Sequence, residues 1–82
     1  MTQITSHQEL ARILRTMYED AKRGQKVAMI HLFGIKYAEA IRGCDGSPAE
    51  IARLACGYPS YGVEINKGCV LADFVEIRAG VL

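Results

Sequence analysis

Apolar residues recur along the first third of the chain at helical spacing: Leu10, Ile13, Leu14, Met17, Tyr18 and Ala21 share one stripe. Ser6-His7-Gln8-Glu9 stands just before it with the order of a capping box, in which a serine hydroxyl and a glutamate carboxylate satisfy exposed amides at a helix start. The pattern predicts a helix from about residue 7 to Gly24, with Arg12, Arg15, Glu19 and Lys22 off the buried stripe. Residues 1–5 carry no periodicity and are expected as a loose end. Lys26-Val27-Ala28-Met29-Ile30 is a short apolar run that periodicity alone does not separate from helix, and it is read as a brief strand. Phe33, Tyr37, Ala38 and Ile41 return to helical spacing and predict a second helix over 32–42, ending at Gly43.

The middle of the chain holds the densest local signals. Ser47-Pro48-Ala49-Glu50 supplies an N-cap serine, a proline at the first helical position and a glutamate three residues after the cap. Ile51, Leu54 and Ala55 continue one face until Gly57, with Pro59 two residues on. Ser60 is then placed to cap a further helix carrying Val63, Ile65 and Cys69. Two short helices joined by about four residues containing a glycine outline a helix-turn-helix over 47–68. Beyond it, Asp73-Phe74-Val75-Glu76-Ile77-Arg78 alternates and predicts a strand that pairs antiparallel with 26–30.

The expected fold is therefore mainly α with a small β component: about four helices and a short two-stranded antiparallel sheet, forming one domain over residues 1–82. Half of the 82 residues are apolar and 23% are charged, an ordinary globular composition. No segment approaches the ~18 consecutive apolar residues of a membrane span, which points to a cytoplasmic protein with no membrane contact. Cys44, Cys56 and Cys69 match neither a Cys-x-x-Cys zinc half-site nor an even disulfide framework, and are expected as reduced thiols. Net charge is only +1, unevenly spread. Residues 1–43 carry seven bases against four acids and residues 44–82 three against five, so the half containing the helix-turn-helix is the acidic one.

Val27-Ala28-Met29-Ile30-His31-Leu32-Phe33-Gly34-Ile35-Lys36-Tyr37-Ala38, together with Ser60-Tyr61-Gly62-Val63-Glu64-Ile65-Asn66-Lys67-Gly68, resembles small bacterial HTH-like domains across most of residues 6–78. In that light the element order is that of a reduced winged helix-turn-helix. The resemblance implies a DNA-binding or regulatory module, sometimes associated with bacterial or phage defence systems, and not an enzyme. Residues 58–67 also resemble the recognition helix of phage repressors, which implies that Ser60 near its start and the pair Asn66-Lys67 touch DNA.

The chemistry of these residues fits double-stranded DNA as partner. Asparagine grips adenine through two hydrogen bonds, while serine, tyrosine and lysine hold phosphates, so Ser60, Tyr61, Asn66 and Lys67 are the candidate contacts. Gly62 allows close backbone approach to a phosphate, and Lys26 and Lys36 extend a basic face. Glu64 on the same helix opposes phosphate binding. The DNA-binding module is expected as a homodimer, because one so small buries too little surface for specific binding. The alternative reading is a protein-interaction module, adaptor or dimerisation, with Tyr58 and Tyr61 as interface aromatics and another protein or a second copy as partner. His31 has no Cys, Asp or Glu at a ligand spacing and is expected against the core or capping the second helix. No phosphate loop, nucleotide fingerprint or nucleophile elbow occurs, so neither cofactor nor metal nor catalysis is expected.

Overall fold

A computed structural model describes residues 6–82, and the expected loose end at 1–5 lies outside them. Five α-helices follow one another: α1 His7–Asp20, α2 Lys26–Lys36, α3 Ala38–Gly43, α4 Pro48–Cys56 and α5 Gly62–Leu71, with a 3-10 turn at Pro59–Tyr61. Their buried faces meet in one core, in which Leu10, Leu14, Ile30, Phe33, Ile51 and Ile65 are wholly covered. Among the described residues no polar or charged side chain is buried, so the core is held by apolar packing alone.

The helices with local start signals lie where the sequence puts them. Ser6 Oγ accepts from the Gln8 N–H at 3.1 Å and opens α1. Leu10, Ala11 and Leu14 are its buried face, with Ile13, Met17 and Tyr18 half-buried against the core. The helix stops at Asp20, four residues short of Gly24, because Ala21 is already extended. Ser47 Oγ accepts from the Glu50 N–H at 3.2 Å and opens α4 with Pro48 in its first turn.

The expected sheet does not form. Lys26-Val27-Ala28-Met29-Ile30 is the first half of α2, with the Met29 N–H already bonded to the Gln25 carbonyl at 3.0 Å. Ile30, Phe33 and Gly34, at spacings of three and four, are its buried residues, whereas Val27 and Ala28 are exposed. A continuous apolar run satisfies a strand and a buried helix equally, and here the core takes one face of a helix. With residues 26–30 helical, the strand expected over 73–78 has no ladder partner, and a lone strand leaves its backbone groups unpaired. Asp73 and Phe74 lie in the turn after α5, which leads into 75–78. That segment is irregular, and among the described residues there is no strand. The second helix expected at 32–42 is in fact two, because Tyr37 (φ −112°, ψ 23°) interrupts the helical path between α2 and α3.

α2 and α5 cross at backbone distance. A Cβ on Gly34 would sit 2.5 Å from the Ile65 carbonyl oxygen, and one on Gly68 would sit 2.4 Å from the His31 carbonyl oxygen. Both are inside contact distance with main-chain atoms, so only glycine fits at either position. Lys26 and Tyr61 both lie against Tyr18, while Ile35, Lys36 and Ala72 share a groove. The two helices therefore run in the same general direction, with their N-terminal ends together at one side of the molecule.

Candidate nucleic-acid interface

α4, the turn after it and α5 form the helix-turn-helix unit. Gly57 ends α4 in the left-handed region (φ +83°), where its N–H reaches the Arg53 carbonyl at 3.0 Å. Tyr58 is extended, and the 3-10 turn then redirects the chain into α5. α5 begins against the start of α4: a Cβ on Gly62 would lie 2.7 Å from both Ala49 N and Ala49 Cα. Gly62 is thus buried between the two helices of the unit, and its missing side chain is used there.

Ser60 is exposed within the 3-10 turn, and its hydroxyl does not cap α5. Tyr61 is half-buried in an aromatic cluster, 6.1 Å from the Tyr18 ring and 5.5 Å from Tyr58, which meets it edge-on. A hydrogen bond with Tyr61, followed by burial, pushes the Tyr18 hydroxyl up to about 12. Lys26 belongs to the same cluster. Its Nζ donates to the Tyr18 carbonyl oxygen at 2.8 Å and stands 4.7 Å from the centre of the Tyr18 ring, closing the C-terminal end of α1 with a cation.

Asn66 and Lys67 lie on the exposed face of α5, about 8–9 Å along the helix from Tyr61. Asn66 is open to solvent. Lys67 Nζ donates to Glu64 Oε2 at 3.3 Å, and His31 Nε2 donates to Glu64 Oε1 at 2.7 Å. One carboxylate is therefore shared between α2 and α5, and the hydrogen bond from His31, then that from Lys67, holds Glu64 below the usual carboxylate range. The phosphate-seeking charge of Lys67 is partly cancelled by its own helix. Lys36 stands apart at the far end of α2, about 15 Å of helix from Lys26, with its Nζ 5.6 Å from the Tyr37 ring. Ser60, Tyr61 and Lys26 thus gather at one end, Asn66 and Lys67 follow along α5, and Lys36 belongs to the opposite end.

His31, expected against the core or capping the second helix, is instead mid-helix and paired with a carboxylate, and Tyr18, expected on the core stripe, is tied to Lys26 and Tyr61. His31 is half-buried in the middle of α2 and meets Glu64 across 33 positions of sequence, a separation that leaves no local trace. Tyr18 is found on the apolar stripe of α1, where its ring looks like one more core residue. Of the three thiols, Cys69 is buried and Cys44 and Cys56 half-buried, all free. Burial pushes both Cys56 and Cys69 above the usual thiol range, which makes them poor nucleophiles. Among the described residues no three His, Cys, Asp or Glu side chains are grouped to hold a metal ion, and no helix is long and apolar enough to cross a membrane.

The sequence profile described as an HTH-like domain matches residues 6–78, nearly the whole chain. The chain belongs to the HTH-like domain family. No curated protein and no solved structure matches it. Within the HTH-like domain seen here the wing of a winged helix is missing, since both of its expected strands are non-β, and the helices alone build the fold.

Proposed function

We propose that this HTH-like domain is a single DNA-binding regulatory module of the bacterial cytoplasm, without catalytic activity, in which α4 braces α5 and the exposed side of α5 meets duplex DNA. The observation that carries the reading is the α4–Gly57–α5 unit with Ser60, Asn66 and Lys67 on its solvent side. Asn66 reads a base edge, Lys67 and Ser60 hold phosphates, and Tyr61 and Lys26 steady the turn that presents them. Gly62 acts through the close α4–α5 contact, and Lys36, at the far end of α2, serves a remote phosphate. Regulation and service in a defence system rest on the family resemblance alone.

Glu64 sets the expected strength. Because it pairs with Lys67, electrostatic affinity is modest, and Glu64→Gln strengthens binding to every duplex. Lys67→Ala weakens binding to all sequences and reduces the slope of log affinity against log salt by about 0.9. Asn66→Ala costs ~1–3 kcal/mol on the preferred site and much less on random duplex. Fluorescence anisotropy over a salt series reads all three. Absence of salt-dependent binding of the intact chain to any duplex at low ionic strength overturns the reading.

A second reading, protein recognition, is favoured by a specific observation. Val63 and Val70 are 61% and 49% exposed on the same side of α5 as Asn66 and Lys67, and Tyr58 is 57% exposed in the turn. Apolar side chains on an outward helix face suit a protein groove better than a phosphate-lined one.

A further inference from the structure

We propose that the C-terminal end of α5 and the segment after it form a two-fold interface with a second copy of this chain. Beyond Lys67, α5 and its continuation leave large apolar side chains bare. Val70 is 49% exposed, Leu71 41%, Phe74 79%, Val75 46% and Leu82 43%. They are neighbours: Val70 and Phe74, and Leu71 and Val75, are four apart on a path that stays turned through Phe74, with the Val75 N–H bonded to the Leu71 carbonyl at 3.0 Å. Leu82 folds back into the groove that Val75 lines.

The size of this patch suits a second copy. Those five residues, between 41% and 79% exposed, leave on the order of several hundred Å² bare, the scale of the apolar part of the roughly 800 Å² that a standard interface takes from each partner. Its charge suits a second copy too. Lys36, Glu76 and Arg78 line the groove beside the patch, and Glu39, Arg42 and Asp73 line the one adjoining it. Three cations against three anions make a neutral, mixed rim. A nucleic acid or an anionic membrane calls for an excess of cations, whereas a two-fold axis sets such a rim against itself with opposite charges able to meet.

The surface is argued without nucleic acid, and only its consequence rests on the DNA reading. The patch lies at the opposite end of α5 from Ser60 and Tyr61. With α5 about 15 Å long, two copies joined there hold their Ser60 ends at most on the order of 30–40 Å apart, within reach of successive major grooves on one face of a duplex.

Sedimentation equilibrium of the intact chain, from micromolar to millimolar concentration, tests the proposal. The expected species is a dimer, and Phe74→Asp raises its dissociation constant ~30-fold or more, the effect of losing a central aromatic anchor. Val70→Asp acts in the same direction, and Val63→Asp, at the other end of α5, leaves the dimer intact. Far-UV circular dichroism of Phe74→Asp stays at wild-type values, and so does its melting temperature at a dilution where both proteins are monomeric, since the ring is almost bare in the single chain. A monomeric wild type, growth into higher oligomers, or a dimer indifferent to both Phe74→Asp and Val70→Asp overturns the interface. A dimer that binds no duplex removes the DNA reading and leaves this surface standing, and a monomer that binds duplex does the reverse.

Discussion

α1 packs on α4 and α2 packs on α5, and the two contacts are built by opposite means. The first is filled by side-chain volume: Leu10 and Leu14 from α1, and Ile51, Ala52 and Ala55 from α4, are buried there or in the core beside it. It is also tied at its edge, where Asp45 Oδ1 accepts from His7 N at 3.0 Å and from His7 Nδ1 at 2.7 Å. The second contact depends on volume being absent, with Gly34 set against Gly68 and backbone meeting backbone, and it is tied by the His31–Glu64 pair. A contact made of side chains tolerates a change of shape by repacking, whereas one made of main chain has nothing flexible to move aside. The helix carrying Asn66 and Lys67 is thus the one held in the less forgiving way.

The largest expected effect breaks the first contact. Leu14→Ala removes a wholly buried side chain and costs ~2–5 kcal/mol, read by urea denaturation as a lower midpoint at unchanged slope. Gly68→Ala breaks the second. On an open helix surface it would stabilise by up to ~1 kcal/mol, but here the added Cβ meets the His31 carbonyl oxygen, and overpacking of this kind costs ~1–3 kcal/mol. A stabilised Gly68→Ala protein in the same assay would show that the crossing is looser than described.

The smallest effect sharpens the comparison through pH, because each contact has one carboxylate at its edge. Hydrogen bonds from His7 hold Asp45 below the usual carboxylate range, as those from His31 and Lys67 hold Glu64. A carboxylate lowered on folding contributes stability that is complete above its unfolded pKa, about 4, and that is lost as pH falls through the folded value. Asp45→Asn and Glu64→Gln therefore melt below the wild type near neutrality, and each gap closes as the solution is taken below about pH 4. Asp45 is exposed and Glu64 half-buried, so the gaps are small, and that of Asp45 shrinks the more in salt.

How much of this was visible in the chain depends on how far each interaction reaches. The Ser47-Pro48-Glu50 start and the Gly57 stop bracket α4 because a cap is a hydrogen bond between residues three or four apart, written entirely in local sequence. The candidate site was less legible: the turn chemistry around Gly57 and Pro59 suggested Ser60 as a cap, which it is not, and Asn66 and Lys67 came from the resemblance, with helical spacing giving only their exposure. The partner of Lys67 was open to the same reading, since Glu64 stands three residues before it, but His31 at the other oxygen of that carboxylate was not.

The sequence by itself determined where α1 and α4 begin, where α4 ends and which face of α1 is buried, because caps, proline, glycine and helical spacing act within a turn or two. Of the face expected for α4, Ile51 and Ala55 are buried but Leu54 is exposed. Only the tertiary structure decided that residues 26–30 are helix, that 75–78 is no strand and that the glycines at 34 and 68 meet. Val27 to Ile30 carries no cap and is apolar on every side, so nothing local separates helix from strand. The choice falls to whatever covers Ile30 and Phe33. That cover includes α5, which the chain supplies some thirty residues later, where no local pattern can announce it.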